Sequence, residues 1–341
     1  MSKTKIAVIG AGLAGLTVAK HVCDASVDVY EATDRIGGKL RTVAFEGGPT
    51  DIGAESFIPT EDMRAFIEDL GLTGSLVDPT DAPTLRWDGK ELSLIDVPRT
   101  TTFHHGLQEL PEKLAEESGA DIYIDAFISG ITRETDKESG KQGFRLKGGE
   151  DKLYDNVVLA VPAPTAALLL KQVDAGAAEA LAKVKLTNSV VVGMRFATGE
   201  GLPEAAEVRI ADGADGVRAA AFVFSSQRWP HLADRDGALV RATLNVEAHA
   251  DEDDLVDWAL DDLATVTGFD GRAAGLEEIY VQRWFGAFPE DTAATKAAAQ
   301  EASELIAQIP GISATGAWVS GPSICDVIAH ARATADDVPT S

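Results

Sequence analysis

Three glycines close to the start of the chain have a spacing that suits the binding of a dinucleotide. Gly10, Gly12 and Gly15 form the pattern G-x-G-x-x-G within "VIGAGLAGL", and Glu31 follows at the end of the next apolar run. The first glycine permits a tight turn, the second lets the backbone approach a pyrophosphate, and the third lets helix and strand pack closely. Glu31 can accept a hydrogen bond from a ribose hydroxyl. The pattern predicts a dinucleotide site, and the alternative is a tight turn that binds no nucleotide.

A second glycine pair follows soon after this loop. Gly37 and Gly38 lie in "DRIGGKLRT", and "GGPTDIGAESF" (47–57) comes shortly afterwards. Glycines at such positions indicate that the backbone closely approaches a further part of a ligand. A nicotinamide dinucleotide has no evident need for them, whereas a longer cofactor with a ribityl chain and an isoalloxazine ring does, so we expect FAD. Lys39 and Arg41 are candidates to face its phosphates, although surface cations are usually just solvated.

The elements that must position these residues begin with a βαβ unit. A buried strand at 5–9, a helix at 14–23 and a strand at 27–31 fit the periodicities of the sequence. The residue pattern changes over 188–247 and predicts an antiparallel sheet there. An acidic amphipathic helix is predicted after it, over 251–268. Strand-rich sequence therefore lies between stretches that are typical of a nucleotide-binding fold.

We therefore expect an α/β protein with two domains that are interleaved in the chain. A Rossmann-like FAD-binding domain is predicted over residues 1–75, 104–165 and 275–335. An antiparallel-sheet (α+β) substrate domain is predicted over residues 76–103 and 166–274.

Three local features carry further predictions. A helix over 60–72 should begin with Thr60 as its N-cap and stop at Gly71. The stretch 83–95 alternates around Asp88–Gly89, which predicts a two-residue hairpin turn. His104 and His105 are adjacent, and in a strand they would point to opposite faces and could not readily share a metal ion.

Composition excludes some function classes. The 341 residues carry a formal net charge of −25, which disfavours binding to nucleic acid or to an anionic membrane surface. Cys23 and Cys325 are the only cysteines, and they offer neither a disulfide framework nor metal-ligand spacing, so we expect a cytoplasmic protein without a metal site. The longest apolar run, 156–170, contains two prolines, and we expect no transmembrane segment.

The sequence resembles the flavin-dependent amine oxidase superfamily, and within it most closely the protoporphyrinogen and coproporphyrinogen oxidase branch. The matching motifs are "DRIGGKLRT", "DIGAESF", "GLQELPEKLAE", "VVLAVPAP", "FVFSSQRWPHLADRDGALVRATL" and "GAWVSGPSICDVIAHARATA". The resemblance implies that FAD is the cofactor and that a fixed set of positions contacts it. These positions are Gly10, Gly12, Ala14, Gly15, Glu31, Gly37, Gly38, Lys39, Gly53, Ala54, Glu55, Ile128, Gly321, Ser323 and Ile324.

The chain departs from the porphyrinogen oxidase branch in two ways. That branch carries a helical, membrane-associating region at the point where residues 93–107 of this chain join the hairpin directly to the "GLQEL" helix. In that branch the hairpin often has an arginine that can pair with a tetrapyrrole propionate. In this chain the counterpart of that position lies near Pro83. Arg86 and Arg99 are nearby substitutes for the substrate contact, and solvated strand-edge arginines are the alternative.

The resemblance implies an FAD-dependent oxidase that moves a hydride from a substrate C–H bond to flavin N5 and is reoxidised by O₂. One alternative is a compact flavoprotein that oxidises an amine or NAD(P)H, and another is a non-catalytic FAD-binding scaffold in tetrapyrrole delivery. We expect a small-molecule substrate, possible porphyrinogen chemistry, and neither nucleic-acid binding nor stable membrane insertion. No catalytic acid–base residue is identified, and the oligomeric state is left open.

Overall fold

The computed structural model describes residues 3–137, 140–233, 235–246 and 249–340. Asp234, inside one of the motifs that carry the resemblance, lies outside the described residues. The chain forms two compact units, and each is assembled from separate stretches of sequence. Unit 1 contains residues 1–39, 109–187 and 288–341, and unit 2 contains residues 40–108 and 188–287.

The helices and strands fall into five successive stretches of the chain. The first stretch contains β1 (Thr4–Ile9), α1 (Leu13–His21) and β2 (Ala25–Tyr30). The second contains β3 (Thr42–Phe45), β4 (Gly48–Asp51), α2 (Glu61–Asp69), a 3₁₀ turn (Thr73–Ser75), β5 (Leu76–Val77), β6 (Thr84–Trp87), β7 (Leu92–Ile95) and β8 (Thr102–Phe103). The third contains α3 (Glu109–Ser118), β9 (Asp121–Tyr123), β10 (Gly130–Thr135), β11 (Gln142–Lys147), β12 (Asn156–Leu159), α4 (Ala163–Leu170) and α5 (Ala175–Ala182). The fourth contains β13 (Leu186–Phe196), β14 (Glu207–Ile210), β15 (Ala219–Phe224), α6 (Ser225–Arg228), α7 (Pro230–Ala233), β16 (Ala238–Leu244), α8 (Glu252–Thr267) and β17 (Leu276–Pro289). The last contains α9 (Ala293–Ile306), β18 (Ile312–Ala314), α10 (Ala317–Ser320) and α11 (Ile324–Asp337).

Unit 1 is built on a parallel sheet with the strand order β18-β12-β1-β2-β9. Four consecutive residues of β1, Ile6 to Ile9, are buried, as expected for a strand covered on both faces. The chain leaves β1 towards β2 on one side, while β12 pairs with β1 on the other side. Such a reversal of strand order opens a crevice at the carboxyl ends of the strands, where ligands bind in folds of this type.

Unit 2 is built on a mixed sheet with the strand order β17-β13-β16-β15-β14-β6-β7. Leu255, Ala259 and Leu263 of α8 pack with inward side chains of the sheet, such as Phe222 and Val192, in one hydrophobic core. The sheet was predicted to be antiparallel, and β14 is the exception because it pairs with β6 in the parallel direction. These two strands come from separate stretches of the chain, so no tight turn between them fixes their relative direction.

The local predictions have mixed outcomes. The Thr60 hydroxyl accepts a hydrogen bond from the Met63 N–H (3.2 Å) at the start of α2, and Gly71 follows the helix with a φ of +68°. The predicted two-residue turn is wrong, because four residues connect β6 to β7. The Asp88 carboxylate accepts hydrogen bonds from the N–H groups of Lys90 (2.9 Å) and Glu91 (3.0 Å), which stabilises the longer loop.

The compact units do not follow the bounds of the predicted domains. Residues 40–75, predicted for the FAD-binding domain, belong to unit 2, where β4 precedes a buried cluster of side chains. Residues 166–187, predicted for the substrate domain, belong to unit 1, because α4 and α5 pack into its core together with α9. The division of the chain by function stays a prediction.

Candidate functional site

The glycine-rich loop directly follows β1 in unit 1. Gly10 has a φ of +106°, and a Cβ at this position would lie 2.5 Å from the carbonyl oxygen of Ala160. The Gly10 N–H donates a hydrogen bond to the carbonyl of Tyr30 at the end of β2 (2.8 Å). Only glycine therefore fits this position, and the loop is fixed to the carboxyl ends of two strands.

The other two glycines of the pattern differ in what surrounds them. A Cβ at Gly15 would lie 1.9 Å from the Gly10 carbonyl oxygen, so helix α1 can lie this close to the loop only with glycine there. A Cβ at Gly12 would meet only the Cα of Gly38, at 3.8 Å. Gly12 also precedes α1 without a side-chain cap. The N–H groups in the first turn of α1 are therefore not satisfied by a cap, which suits a phosphate group.

Glu31 holds the loop through its carboxylate. The Ala11 N–H donates to Glu31 Oε2 (2.9 Å), while the Thr33 N–H (2.9 Å) and the Thr33 hydroxyl (2.8 Å) donate to Oε1. A carboxylate offers about four acceptor positions, so Glu31 keeps capacity for a ribose hydroxyl. Thr33 was not identified from the sequence, although a hydroxyl residue two positions after the acid is compatible with this local contact.

The second glycine pair lies directly against the first loop. Gly37 and Gly38 have φ values of +97° and +56°, and the Gly37 N–H donates to the Ala11 carbonyl (2.8 Å). The guanidinium of Arg35 donates to the Gly38 carbonyl (2.6 Å) and so stabilises the turn. The two glycine stretches therefore form one continuous backbone surface, and a Cβ at Gly38 would lie 3.1 Å from the Cα of Gly12.

The two cations after this pair lie in different environments. Burial lowers the pKa of Lys39 to about 8, and its Nζ lies 5.9 Å from the centroid of the Phe288 ring. Arg41 belongs to unit 2, where it donates to Gln282 Oε1 (2.8 Å) and lies over the Tyr280 ring. Of the two, only Lys39 shares a unit with the glycine-rich loop.

The remaining predicted contacts of unit 1 lie on its helices and in its core. Ala14 is buried in α1, and Ile128 is buried in the core with only 4% of its surface exposed. Gly321 has a φ of +95° and ends α10, and the Ser323 hydroxyl accepts from the Asp326 N–H (3.4 Å) at the start of α11. Ile324 is the first residue of α11, which packs along α1. Unit 1 thus brings together the glycine-rich loop, the second glycine pair, Glu31 and the helix α1.

The other three predicted contacts, Gly53, Ala54 and Glu55, lie in unit 2 beyond the end of β4. The Glu55 carboxylate is buried and accepts hydrogen bonds from Ser225 Oγ (2.8 Å) and Trp229 Nε1 (3.0 Å). Arg241 donates to Glu55 Oε2 (3.4 Å) and to the carbonyl of Gly53. Side chains from far along the chain therefore fix the backbone of this stretch.

Asp51 lies beside Glu55 in the same buried cluster. Burial is the main reason that the pKa of Asp51 is raised to about 7; the charge of Glu55 contributes to this rise, and hydrogen bonds from Thr42 and Leu107 and the charge of Arg241 oppose it. The Thr42 hydroxyl donates to Asp51 Oδ1 at 2.6 Å, and the Leu107 N–H donates to the same oxygen at 3.1 Å. Asp51 can therefore change its protonation near neutral pH.

A small cleft in unit 2 is lined by these acids and by a histidine. Asp51, Glu55, Trp229 and His231 are among its lining residues. The His231 Nδ1 atom is buried and has no hydrogen-bond partner in the described part of the chain. Burial lowers the pKa of His231 to about 4, with a further contribution from His104.

His104 and His105 do not point to opposite faces, so that expectation is wrong. They lie in a turn after β8 rather than in a strand, and their ring centroids are 4.8 Å apart. The His104 ring also lies 5.0 Å from that of His231. Across the described residues, no group of three or more His, Cys, Asp or Glu side chains is placed to hold a metal ion.

The two arginines predicted as substrate contacts lie in different settings in unit 2. Arg99 donates to Asp81 (3.1 Å) and to the Pro79 carbonyl (2.9 Å), and both charged side chains of this pair are exposed. Arg86 lies in β6, where it is exposed and pairs in register with Arg209 of β14. Arg209 was not identified from the sequence, because nothing in the pattern places β14 beside β6.

The sequence matches the profile of a family described as flavin containing amine oxidoreductase over residues 13–103 and 97–339. A coproporphyrinogen III oxidase from Mycobacterium leprae is 24% identical, with 85% of this chain and 88% of that protein covered. The alignment spans 405 positions and this chain has 341 residues, so the relative contains segments without a counterpart in this chain. A tryptophan 2-monooxygenase from Agrobacterium tumefaciens is 45% identical over 78 residues, which cover 21% of this chain and 10% of that protein.

Solved structures share the fold. A protein from Exiguobacterium sp. 255-15, provisionally described as a protoporphyrinogen oxidase, has a TM-score of 0.86 and 18% identity, with 98% of each chain covered. Cyclohexylamine oxidase from Brevibacterium oxydans has a TM-score of 0.74 and 14% identity, again with 98% of each chain covered. In the part of the chain that the structure describes, no helix has the length and apolar character needed to cross a bilayer.

Proposed function

This chain belongs to the family of flavin containing amine oxidoreductases, and from that premise we propose that it oxidises a porphyrinogen. It is an FAD-dependent oxidoreductase related to the porphyrinogen oxidases. The observation that carries the choice of substrate is the relationship to coproporphyrinogen III oxidase, which extends over 85% of this chain and 88% of that protein.

The residues of unit 1 fit a dinucleotide cofactor. The open space at Gly12, the uncapped start of α1 and the carboxylate of Glu31 suit a pyrophosphate and an adenosine ribose. We assign the holding of FAD to the fifteen positions named from the sequence. They are Gly10, Gly12, Ala14, Gly15, Glu31, Gly37, Gly38, Lys39, Gly53, Ala54, Glu55, Ile128, Gly321, Ser323 and Ile324.

When bound, FAD would supply the hydride acceptor at N5, with O₂ as the final electron acceptor and hydrogen peroxide as its product. The chain's own residues bind and orient the two reactants. The helix start at α1 and the loop held by Glu31 fix the nucleotide end, and Arg241 fixes the backbone at Gly53. Positioning of this kind supplies much of the rate enhancement in reactions that a cofactor carries.

A cytoplasmic location is part of the proposal. Cys23 and Cys325 form no disulfide, which is compatible with a reducing compartment. We also retain the expectation that the substrate is a small molecule.

Anaerobic reduction of the bound flavin tests the proposal. The FAD-loaded protein is mixed without oxygen with coproporphyrinogen III, with protoporphyrinogen IX, with cyclohexylamine or with NADH. We expect a porphyrinogen to bleach the flavin absorbance at about 450 nm, and the addition of O₂ to restore it. Free FAD with the same porphyrinogen serves as the control for non-enzymatic reduction.

Two results would overturn the substrate assignment. Bleaching by the amine or by NADH alone would identify a compact flavoprotein with a different substrate. A flavin that none of these compounds reduces would indicate an FAD-binding scaffold.

A further inference from the structure

A carboxylate is buried in the parallel sheet of unit 1, at Asp28 of β2. Its neighbours Val27 and Val29 are apolar, as expected for a strand covered on both faces, whereas Asp28 is only 1% exposed. Lys152 Nζ lies 2.5 Å from Asp28 Oδ2, and Oδ1 has no hydrogen-bond partner within the ranges that the structure describes. Apolar side chains of similar volume often replace a buried ion pair without loss of stability. Stability alone therefore does not explain the charge at this position.

Two tyrosines surround the carboxylate, and we call Asp28, Tyr30, Lys152 and Tyr154 the Asp28 cluster. The Tyr154 hydroxyl donates to Asp28 Oδ2, and the hydroxyl oxygens of Tyr30 and Tyr154 are 2.5 Å apart. Burial and the hydrogen bond to Asp28 raise the pKa of Tyr154, so its hydroxyl keeps the proton that it donates. The Tyr30 hydroxyl also accepts a hydrogen bond from the Glu150 N–H (3.2 Å). The Asp28 cluster therefore joins β2 to the chain that leads into β12.

A third pair of glycines brings this stretch of chain close to the sheet. Gly148 has a φ of +101°, and a Cβ at this position would lie 2.4 Å from the carbonyl oxygen of Phe127. A Cβ at Gly149 would lie 3.3 Å from the ring of Tyr30 and 3.3 Å from the side chain of Ile128. The turn that carries the lysine of the Asp28 cluster therefore packs against a segment that contains one of the positions assigned to FAD.

The same segment is bonded to the residue assigned to the adenosine ribose. Glu31 follows Tyr30 in the chain, and its N–H donates to the carbonyl of Tyr123 (2.8 Å). The Ala126 N–H donates to the Glu31 carbonyl (2.8 Å). The rings of Tyr30 and Tyr123 are stacked, with their centroids 5.1 Å apart. The position of Glu31 therefore depends on how β2 and the segment after β9 are held together.

We infer that the Asp28 cluster positions the adenosine end of FAD, and that it acts through Glu31 and Ile128. This inference rests on the contacts with FAD that are proposed for these two residues. A buried network of hydrogen bonds restricts its members to one arrangement, whereas an apolar core of the same volume can repack. A binding residue needs such support to keep its geometry. The members of the Asp28 cluster are thus positioning residues, and none of them is assigned a contact with FAD.

Apolar replacement of the Asp28 cluster separates positioning from folding. The triple variant Asp28→Val, Lys152→Met and Tyr154→Phe removes the buried ion pair and its hydrogen bonds. We expect it to melt at or above the temperature of the wild-type protein. Calorimetric titration of the FAD-free proteins uses ADP, which carries the adenosine and pyrophosphate of FAD, and FMN, which carries the flavin. The triple variant should bind ADP about tenfold more weakly than the wild type and FMN with unchanged affinity.

A milder variant keeps the test decisive if the triple variant does not fold. Tyr154→Phe removes one hydroxyl group, and we expect it to weaken ADP binding about threefold and to leave FMN binding unchanged. Lys183→Met is the matched control, because it removes an exposed lysine of the same unit that pairs with Glu301 (3.2 Å). This control should bind both ligands as the wild type does.

Equal affinities of the wild type and the folded variants for ADP would overturn the inference. Equal losses for ADP and FMN would also overturn it, because they would show that the Asp28 cluster only stabilises unit 1. Glu31→Gln should weaken ADP binding, and an unchanged affinity would overturn the assigned contacts together with this inference. Failure of the proposed substrate appears separately, as a flavin that porphyrinogens do not bleach while ADP binding responds as expected.

Discussion

At the scale of single residues, carboxylates that were predicted from the sequence to contact the ligand also accept hydrogen bonds that stabilise the protein. Glu31 and Glu55 were both predicted to contact the cofactor, and both accept hydrogen bonds from the protein. One partner of Glu31, Thr33, is two residues away, and the other, Ala11, belongs to the same βαβ unit, so a sequence motif can suggest both. The partners of Glu55, Ser225 and Trp229, come from far along the chain, so no spacing in the sequence reveals them.

Asp51 should make stability depend on pH. Its pKa is about 7 in the folded protein and 3.8 in the reference state, so the folded state keeps a proton that the unfolded chain loses. Below about pH 4 this stabilising contribution is fully present. As the pH rises to about 7 it is lost, and the free energy of unfolding falls by up to about 1.4 kcal/mol for each pH unit. We expect the free energy of unfolding of the wild-type protein to fall between about pH 5 and about pH 7 relative to that of Asp51→Asn.

Urea unfolding of both proteins across this range measures the difference. Asp121→Asn, at an exposed position, serves as the control and should show a difference from the wild type that hardly changes with pH. A constant difference between the wild type and Asp51→Asn at every pH would contradict the prediction.

At the scale of elements, the loop between β1 and α1 separates two roles of glycine. A Cβ at Gly15 would strike the Gly10 carbonyl at 1.9 Å, whereas a Cβ at Gly12 meets nothing closer than 3.8 Å. We therefore expect Gly15→Ala to destabilise the FAD-free protein, by about 1–3 kcal/mol. Gly12→Ala should leave the FAD-free protein as stable as the wild type and weaken FAD binding at least about tenfold, because its methyl group occupies the pyrophosphate side of the loop.

Thermal melting of the FAD-free proteins and fluorescence titration with FAD distinguish the two effects. Gly74→Ala is the control, because its position is open and should change neither quantity. Gly12→Ala protein that binds FAD as tightly as the wild type would show that the pyrophosphate does not lie against this loop.

How far the sequence predicts an element depends on how local its determinants are. The βαβ unit and the Thr60 cap follow from adjacent residues, and the structure contains both. The hairpin at Asp88 was predicted with a loop that is too short, because the side chain of Asp88 caps two further N–H groups. The parallel pairing of β14 with β6, which places Arg86 in register with Arg209, depends on packing between distant stretches, and no sequence period encodes it.

At the scale of the whole molecule, the net charge of −25 should make stability depend on salt. Like charges repel one another more strongly in the compact state, and salt screens this repulsion. We expect the melting temperature to rise when NaCl increases from about 0.02 M to about 0.2 M, since the Debye length falls below the spacing of many surface charges. Differential scanning calorimetry measures the change, and a melting temperature that falls over this range would show that attractive ion pairs dominate.

The order of strands in unit 1 has a consequence for synthesis on the ribosome. Its central strand, β1, is synthesised well before its partner β12, because the first stretch of unit 2 lies between them in the chain, and the edge strand β18 follows the second stretch of unit 2. At about 5–20 residues per second, the edge of β1 that later pairs with β12 stays unpaired for many seconds in the nascent chain. Exposed edges of apolar strands are sites of aggregation, so protection of the nascent chain by chaperones should matter more for this protein than for one whose sheet closes early.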